Sequence, residues 1–300
     1  MQVKRLSWSL LNRFHFCGEQ LRRILEGERL PPGIAALKGR GVHYGAEVNF
    51  KAKRISGNDE PLDVIQDASR DRYVRDVHKD GVFIPWDERW KAKKLLAEGL
   101  DYTIRQARNF RENVAPKIQP NRAEHRIEME VEGLPVPVMG FIDVVDTRHW
   151  IPDLKVLKNK WNQGKAFGSL QSVFYSELYR HETGVYPAFT YECLGENSKG
   201  FWNESFEGLV GPEHWKRLIL RLKTVCHAIQ EGIFPPADPG HWVCSPKFCG
   251  FYFTCPYISP RMKDTNIQLK EEVPNGKAQT RGSSLRPRTQ PDWGLERHPR

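Results

Sequence analysis

The chain has 300 residues, a net charge of +9, a pI near 9.2, 39% hydrophobic and 11% aromatic residues. That is enough chain for one large core or two small ones, and no apolar run approaches the ~20 residues of a membrane span. The opening MQVKRLSWSLLNRF lacks the apolar stretch and small-residue cleavage site of a secretory leader. The expectation is an intracellular, cytoplasmic protein with no membrane partner. Its excess positive charge points to a polyanion such as nucleic acid, with a basic tail supplying part of the excess. In that compartment the six cysteines read as metal ligands or core thiols rather than disulfides.

Residues 7–26 predict one helix capped by Ser7 or Ser9, with Cys17 inside its apolar pattern. After Pro31-Pro32-Gly33, three glycines (39, 41 and 45) loosen the chain, and a helix is expected from Val42 to Lys53 carrying His43. A lone histidine of this kind is ordinarily a surface or core residue. Residues 58–85 are polar and mixed. Trp86–Arg111 has the apolar stripe of a long amphipathic helix. Glu124–Glu132 alternates as a strand does, with Glu124 and Glu128 on its polar face.

The run VMGFIDVVDTRHWIPDLKVLK, residues 138–158, predicts two strands joined at Asp146-Thr147-Arg148. Asp143 interrupts the first apolar strand. Asp153 and Lys155 share one face of the second, because strand side chains alternate with period two. A carboxylate in an apolar strand is costly to bury unless positive charge meets it. Two such carboxylates with an adjacent lysine suit a divalent cation on a phosphate, although a surface hairpin with an ordinary salt bridge has the same pattern. Next come a helix over Ser169–His181, on which Gln171 and Tyr175 share a face, a strand over Pro187–Leu194, and a helix from Pro212 to Glu231. Cys193 and Cys226 read as core thiols. Cys244, Cys249 and Cys255 cluster as Cys-x4-Cys-x5-Cys among aromatic residues, and Lys263–Arg300 reads as a basic, disordered tail that contacts phosphates.

Asp143, then Pro152-Asp153-Leu154-Lys155, resembles the PD-(D/E)XK nuclease signature in the form shared by RecB-like and Cas4-like exonucleases. Gly39 with His43 resembles their GxxxH helix, and Gln171-x-x-x-Tyr175 their QxxxY motif. Of Glu124 and Glu128, Glu124 is the better match to the acidic residue ahead of the catalytic hairpin, although a half-exposed strand explains both. The resemblance implies an α/β, restriction-endonuclease-like αβββαβ core with a mixed sheet, over residues 1–260. It includes a helical insertion at about 54–118, a cysteine loop at 241–257 closed by Cys17, and the separate tail 261–300.

It further implies Asp143, Asp153 and Lys155 as catalytic residues. Mg²⁺ or Mn²⁺ would be held by His43, Asp143, Asp153 and the Leu154 carbonyl, and DNA contacted by Gln171 and Tyr175. Cys17, Cys244, Cys249 and Cys255 would hold a [4Fe–4S] cluster, with a four-thiolate zinc as the alternative; the four-residue first gap departs from the usual two and weakens Cys244. The implied function is a metal-dependent DNA exonuclease on single-stranded ends, in recombination, repair, or phage or CRISPR DNA processing of a bacterial type. The alternative is a non-catalytic DNA-binding component of such a complex.

Overall fold

The computed structural model describes residues 3–263; the predicted tail, from residue 264 onward, lies outside them. Thirteen principal elements follow in order: α1 (Trp8–Phe16), α2 (Gly18–Leu25), α3 (Ile34–Ser56), α4 (Leu62–Asp80), α5 (Ala92–Asn113), β1 (Pro120–Met129), β2 (Val138–Asp146), β3 (Trp150–Val156), α6 (Gln163–Phe167), α7 (Gln171–Thr183), β4 (Ala188–Asn197), β5 (Gly200–Glu207) and α8 (Pro212–Glu231). The sheet runs β1-β2-β3-β4-β5, antiparallel throughout except for the parallel β3–β4 pair. α3, then β1–β3, α7 and β4 give the expected αβββαβ order, and the mixed α/β fold is the one the sequence implies.

The sheet divides the core. One face carries Val173, Phe174 and Leu178 of α7 with Leu218, Leu222 and Val225 of α8. The other packs Val42, Ala46 and Phe50 of α3 and Ala107 and Phe110 of α5 against Val144, Leu154 and Leu194. Each of these valine, leucine and phenylalanine side chains contributes roughly 1.5–3 kcal/mol when fully buried. Cys193 and Cys226 are buried in the first of these cores.

Four local expectations are corrected. The predicted first helix is two, because Cys17 is extended (φ −167°, ψ 109°) and breaks it into α1 and α2. The second begins at Ile34 instead of Val42, with its glycines inside the helix. A Cβ on Gly41 would lie 2.6 Å from Thr103 Cγ2, and one on Gly45 would lie 2.1 Å from Ser69 Oγ. These glycines let α4 and α5 press against α3. The polar stretch 58–85 contains α4, whose Ile65, Tyr73 and Val77 make a narrow buried stripe amid charge. Lastly, β5 was not foreseen; it pairs with β4 across the Asn197–Gly200 turn.

Gly39 has no neighbour within 4 Å of a built Cβ, so the helix gains from alanine there and loses from it at Gly45. Gly39→Ala should raise unfolding free energy by about 0.5–1 kcal/mol, and Gly45→Ala should lower it by about 1–3 kcal/mol. Urea melts of the two variants check the opposite signs.

Candidate active site

The fork between β2 and β3 creates the site. Among the described residues these strands pair only at Asp146↔Trp150. Carried further, that register would set Asp143 opposite Asp153; instead the strands diverge and a cavity of about 170 Å³ opens between them. The mouth of the hairpin is fixed by Asp146, which is buried and accepts hydrogen bonds from Gln119 N (2.7 Å), Arg148 N (2.9 Å) and Arg148 Nε (2.7 Å). Burial pushes its pKa up, but the Arg148 and backbone donors outweigh this and hold the carboxyl below its usual range.

Six of the predicted residues line this one cavity: His43, Asp143, Asp153, Lys155, Gln171 and Tyr175. α3 delivers His43 and α7 delivers Gln171 and Tyr175. Gly140 allows the second approach, since a Cβ there would lie 2.8 Å from Leu178 Cδ1 and 2.9 Å from Tyr175 Cε1. The predicted residue outside the lining is Leu154, whose side chain is buried in the α3/α5 core.

The charges form two internal pairs. His43 Nδ1 lies 2.7 Å from Asp143 Oδ2, and Lys155 Nζ lies 2.6 Å from Asp153 Oδ2. Burial opposes the positive charge on His43 and on Lys155, yet their carboxylate partners outweigh it and both pKa values are raised. Burial likewise pushes Asp143 up, but contact with His43 leaves its pKa lowered. Asp153 differs: burial dominates Lys155 and its pKa is raised, with Asp143 adding to the rise. Gln171 bridges the second pair, accepting from Lys155 Nζ at 2.9 Å and donating to Asp153 Oδ1 at 3.1 Å. Burial, then Asp153 and Asp143, raise the Tyr175 pKa far enough to keep its phenol neutral.

Asp153 Oδ2 is buried, and its contact with Lys155 lies outside hydrogen-bond geometry. A lone pair there stays available to a cation. Asp143, Asp153 and His43 have the oxygen and imidazole donors that suit Mg²⁺ or Mn²⁺. A cation would compete with His43 and Lys155 for the same oxygens. Among the described residues no three His, Cys, Asp or Glu side chains already converge at ligating distance.

Glu124 lies on β1 between His125 and Ala123, which pair with Ile142 and Val144 of β2. Burial, Asp143 and Glu47 together push its carboxyl up to about 7. Its φ of 51° is in the left-handed region, rare for a residue with a side chain.

The four predicted cysteines line a second cavity of about 230 Å³, walled by Val243, Phe251, Tyr252 and Ile258. Burial raises the pKa of Cys244, and Cys17, Cys249 and Cys255 raise it further. Gln20 Nε2 donates to Cys249 Sγ at 3.3 Å and Ala237 N to Cys17 Sγ at 3.4 Å. Nearby, Arg23 donates to Thr254 Oγ1 and O and stacks on Phe251 at 4.9 Å, tying α2 to the cysteine loop. Four cysteines on one cavity, with N–H donors aimed at two of the sulfurs, are the donor type a thiolate-bound metal or cluster takes, though among the described residues no three of them already stand at ligating distance.

Fold and site together define a restriction-endonuclease-like α/β protein. A sequence model of the PD-(D/E)XK nuclease superfamily matches residues 5–256, and the chain belongs to that superfamily. It is therefore a nuclease by family, with DNA as the substrate class; such enzymes generally use divalent metals such as Mg²⁺ or Mn²⁺. Among solved structures, a "putative exonuclease" from Eubacterium rectale is similar at a TM-score of 0.53, with 14% identity over 86% of this chain and 95% of that one. The protein SSO0001 matches at a TM-score of 0.30 and 14% identity, over 83% of this chain and 95% of that one, which is too weak to bear on the fold. A search of curated proteins finds no match.

Glu124 is protonated in the folded chain over a pH range where the unfolded chain has lost that proton. A raised carboxyl pKa makes stability fall as pH climbs from about 4.5 to about 7. In EDTA, Glu124→Gln should therefore melt higher than wild type at pH 8, by about 1–2 kcal/mol after discounting for partial exposure. At pH 4.5 the two should melt alike. Thermal melts at the two pH values check this.

Proposed function

We propose that this nuclease is a Mg²⁺- or Mn²⁺-dependent exodeoxyribonuclease of the RecB-like/Cas4-like kind, acting on single-stranded ends. The observation that supports this most is the convergence of Asp143, Asp153, Lys155, Gln171, Tyr175 and His43 on one cavity. Asp143, Asp153 and His43 would hold the metal, with the Leu154 carbonyl completing the set. A divalent ion bound there supplies Lewis acidity toward the phosphate and lowers the pKa of water.

The chain's own groups do the rest. Lys155 carries its proton, because Asp153 raises its pKa. It therefore stabilises negative charge at the phosphate and does not serve as a base while so paired. Gln171 uses both ends of its amide on Asp153 and Lys155 and fixes their orientation. Tyr175, held neutral, is a hydrogen-bond donor for a phosphate oxygen. The cysteine cavity holds a [4Fe–4S] cluster in this reading, a four-point tie between the N-terminal helices and the C-terminal loop; zinc is the competing occupant. Residues 1–260 act as the nuclease domain.

With end-labelled single-stranded DNA and Mn²⁺, the wild type should cut progressively from an end, EDTA should stop it, and Asp153→Ala should be inactive. Lys155→Ala should lose about 10²–10³-fold in kcat while retaining DNA binding. Wild-type rates in either variant would remove the assignment. Cys249→Ser should lower the melting temperature and bleach the brown colour of a bound cluster; a colourless wild type with stoichiometric zinc would select zinc.

A further inference from the structure

Beside the active site lies a larger cleft of about 940 Å³, formed by α1, the start of α3, α5, the segment after β3 and the cysteine loop. Its charge is unbalanced. The three carboxylates on its walls are engaged: Glu88 with Lys91 (3.0 Å), Glu98 with Lys94 (3.8 Å) and Glu196 with Arg105 (2.6 Å). Four cations on the same walls, Arg13, Lys38, Lys158 and Lys247, have no carboxylate within ion-pair distance among the described residues. Lys38 is half-buried and Arg13 is exposed at the rim, and desolvation lowers the pKa of both. Lys38 feels Glu196 only at a distance, that carboxylate being paired with Arg105; a partly desolvated cation is costly, and an anion in the cleft would relieve that cost.

Aromatic rings accompany the cations. Tyr102 carries Lys38 Nζ at 4.0 Å from its ring centroid, and its hydroxyl donates to Leu157 O at 2.9 Å. On the cysteine loop, Phe248 is 52% exposed, with Lys247 over its ring. Unpaired bases can stack on such faces, whereas the bases of a duplex are already stacked on one another.

The cleft also adjoins the active site. Lys38 precedes His43 by five residues on α3, about 7.5 Å of helix rise, and Lys158 follows Lys155 by three residues. The chain's own C-terminal stretch, residues 264–300, is basic and a poor occupant of a cationic cleft. We propose that this cleft is the track along which a single unpaired nucleic-acid strand runs to the active site. Arg13, Lys38, Lys158 and Lys247 meet its phosphates, and Phe248 meets a base. The direction of the track rests on the nuclease reading above; the existence of the binding cleft does not.

The test is fluorescence anisotropy in EDTA, where cleavage does not intervene. The probes are a labelled oligothymidine and a labelled hairpin duplex, each titrated with wild type, K158Q/K247Q and F248A. All three substituted side chains are exposed, and a circular-dichroism melt confirms folding. Single-strand affinity should fall about tenfold in each variant, with duplex affinity changed less than twofold. In K158Q/K247Q the slope of log K against log salt should shrink by about 1.4, the ~0.7 per phosphate contact of a single strand. Unchanged single-strand affinity, equal losses for duplex and single strand, or full competition by polyglutamate would each overturn the proposal. Loss of binding here with continued cutting by Asp153→Ala would leave the track standing and remove only the catalytic assignment.

Discussion

Two carboxylates placed in a cavity of about 170 Å³ between two strands must each find a counter-charge, and the site is arranged around that constraint. Asp143 is met by His43 from α3, on one face of the sheet, and Asp153 by Lys155 on its own strand, with Gln171 of α7 reaching in from the other face. The arrangement needs β2 and β3 to part just beyond their shared turn. It also needs the turn itself to hold, which Asp146 secures by accepting from Gln119 and Arg148. The helix packing serves the same end. Gly41 and Gly45 bring α4 and α5 onto α3, and Gly140 brings α7 onto β2, so both helices that supply functional side chains are seated without slack.

The ends of the described chain depend on a different contact. Cys17 breaks the first helix, and the turn it makes is held by Gly18 N donating to Pro235 O at 2.8 Å. Arg23 then reaches Thr254. Polar and aromatic contacts therefore bring the N-terminal helices to the cysteine loop, and the four cysteines line one cavity where those contacts place them. The same loop supplies Lys247 and Phe248 to the neighbouring cleft, so whatever fixes the loop also shapes that cleft.

Much of this was legible in the sequence because the chemistry is local. Asp153, Lys155, Gln171 and Tyr175 lie within 23 positions of one another, and period-two and period-3.6 spacing decides which of them face together. The long-range meetings, His43 with Asp143 and Cys17 with Cys244, came from the family resemblance and not from periodicity. Helix α4 was missed because its apolar stripe is a single row, Ile65, Tyr73 and Val77, interrupted by Ser69. That serine sits where Gly45 requires a small neighbour. Reading the glycines as looseness instead of close contact hid both facts. Strand β5 was missed because GFWNESFE alternates without a buried face apart from Trp202. Glu124 stands out in the sequence only by its match to the family's acidic position; its raised pKa depends on burial and on Asp143 of β2 and Glu47 of α3, which no local pattern reveals.

The central claim is that the fork between β2 and β3 is a divalent-cation site whose carboxylates are held in trust by internal cations. It is tested most directly by calorimetric titration of the protein with Mn²⁺ at pH 6.5, in two buffers of different ionisation enthalpy. His43, its pKa raised by Asp143, keeps most of its protons at the ordinary histidine midpoint. Binding should therefore be saturable, should release protons in both buffers, and should be lost in Asp143→Asn. Failure of the wild type to bind Mn²⁺, or binding of equal strength in Asp143→Asn, would contradict the account.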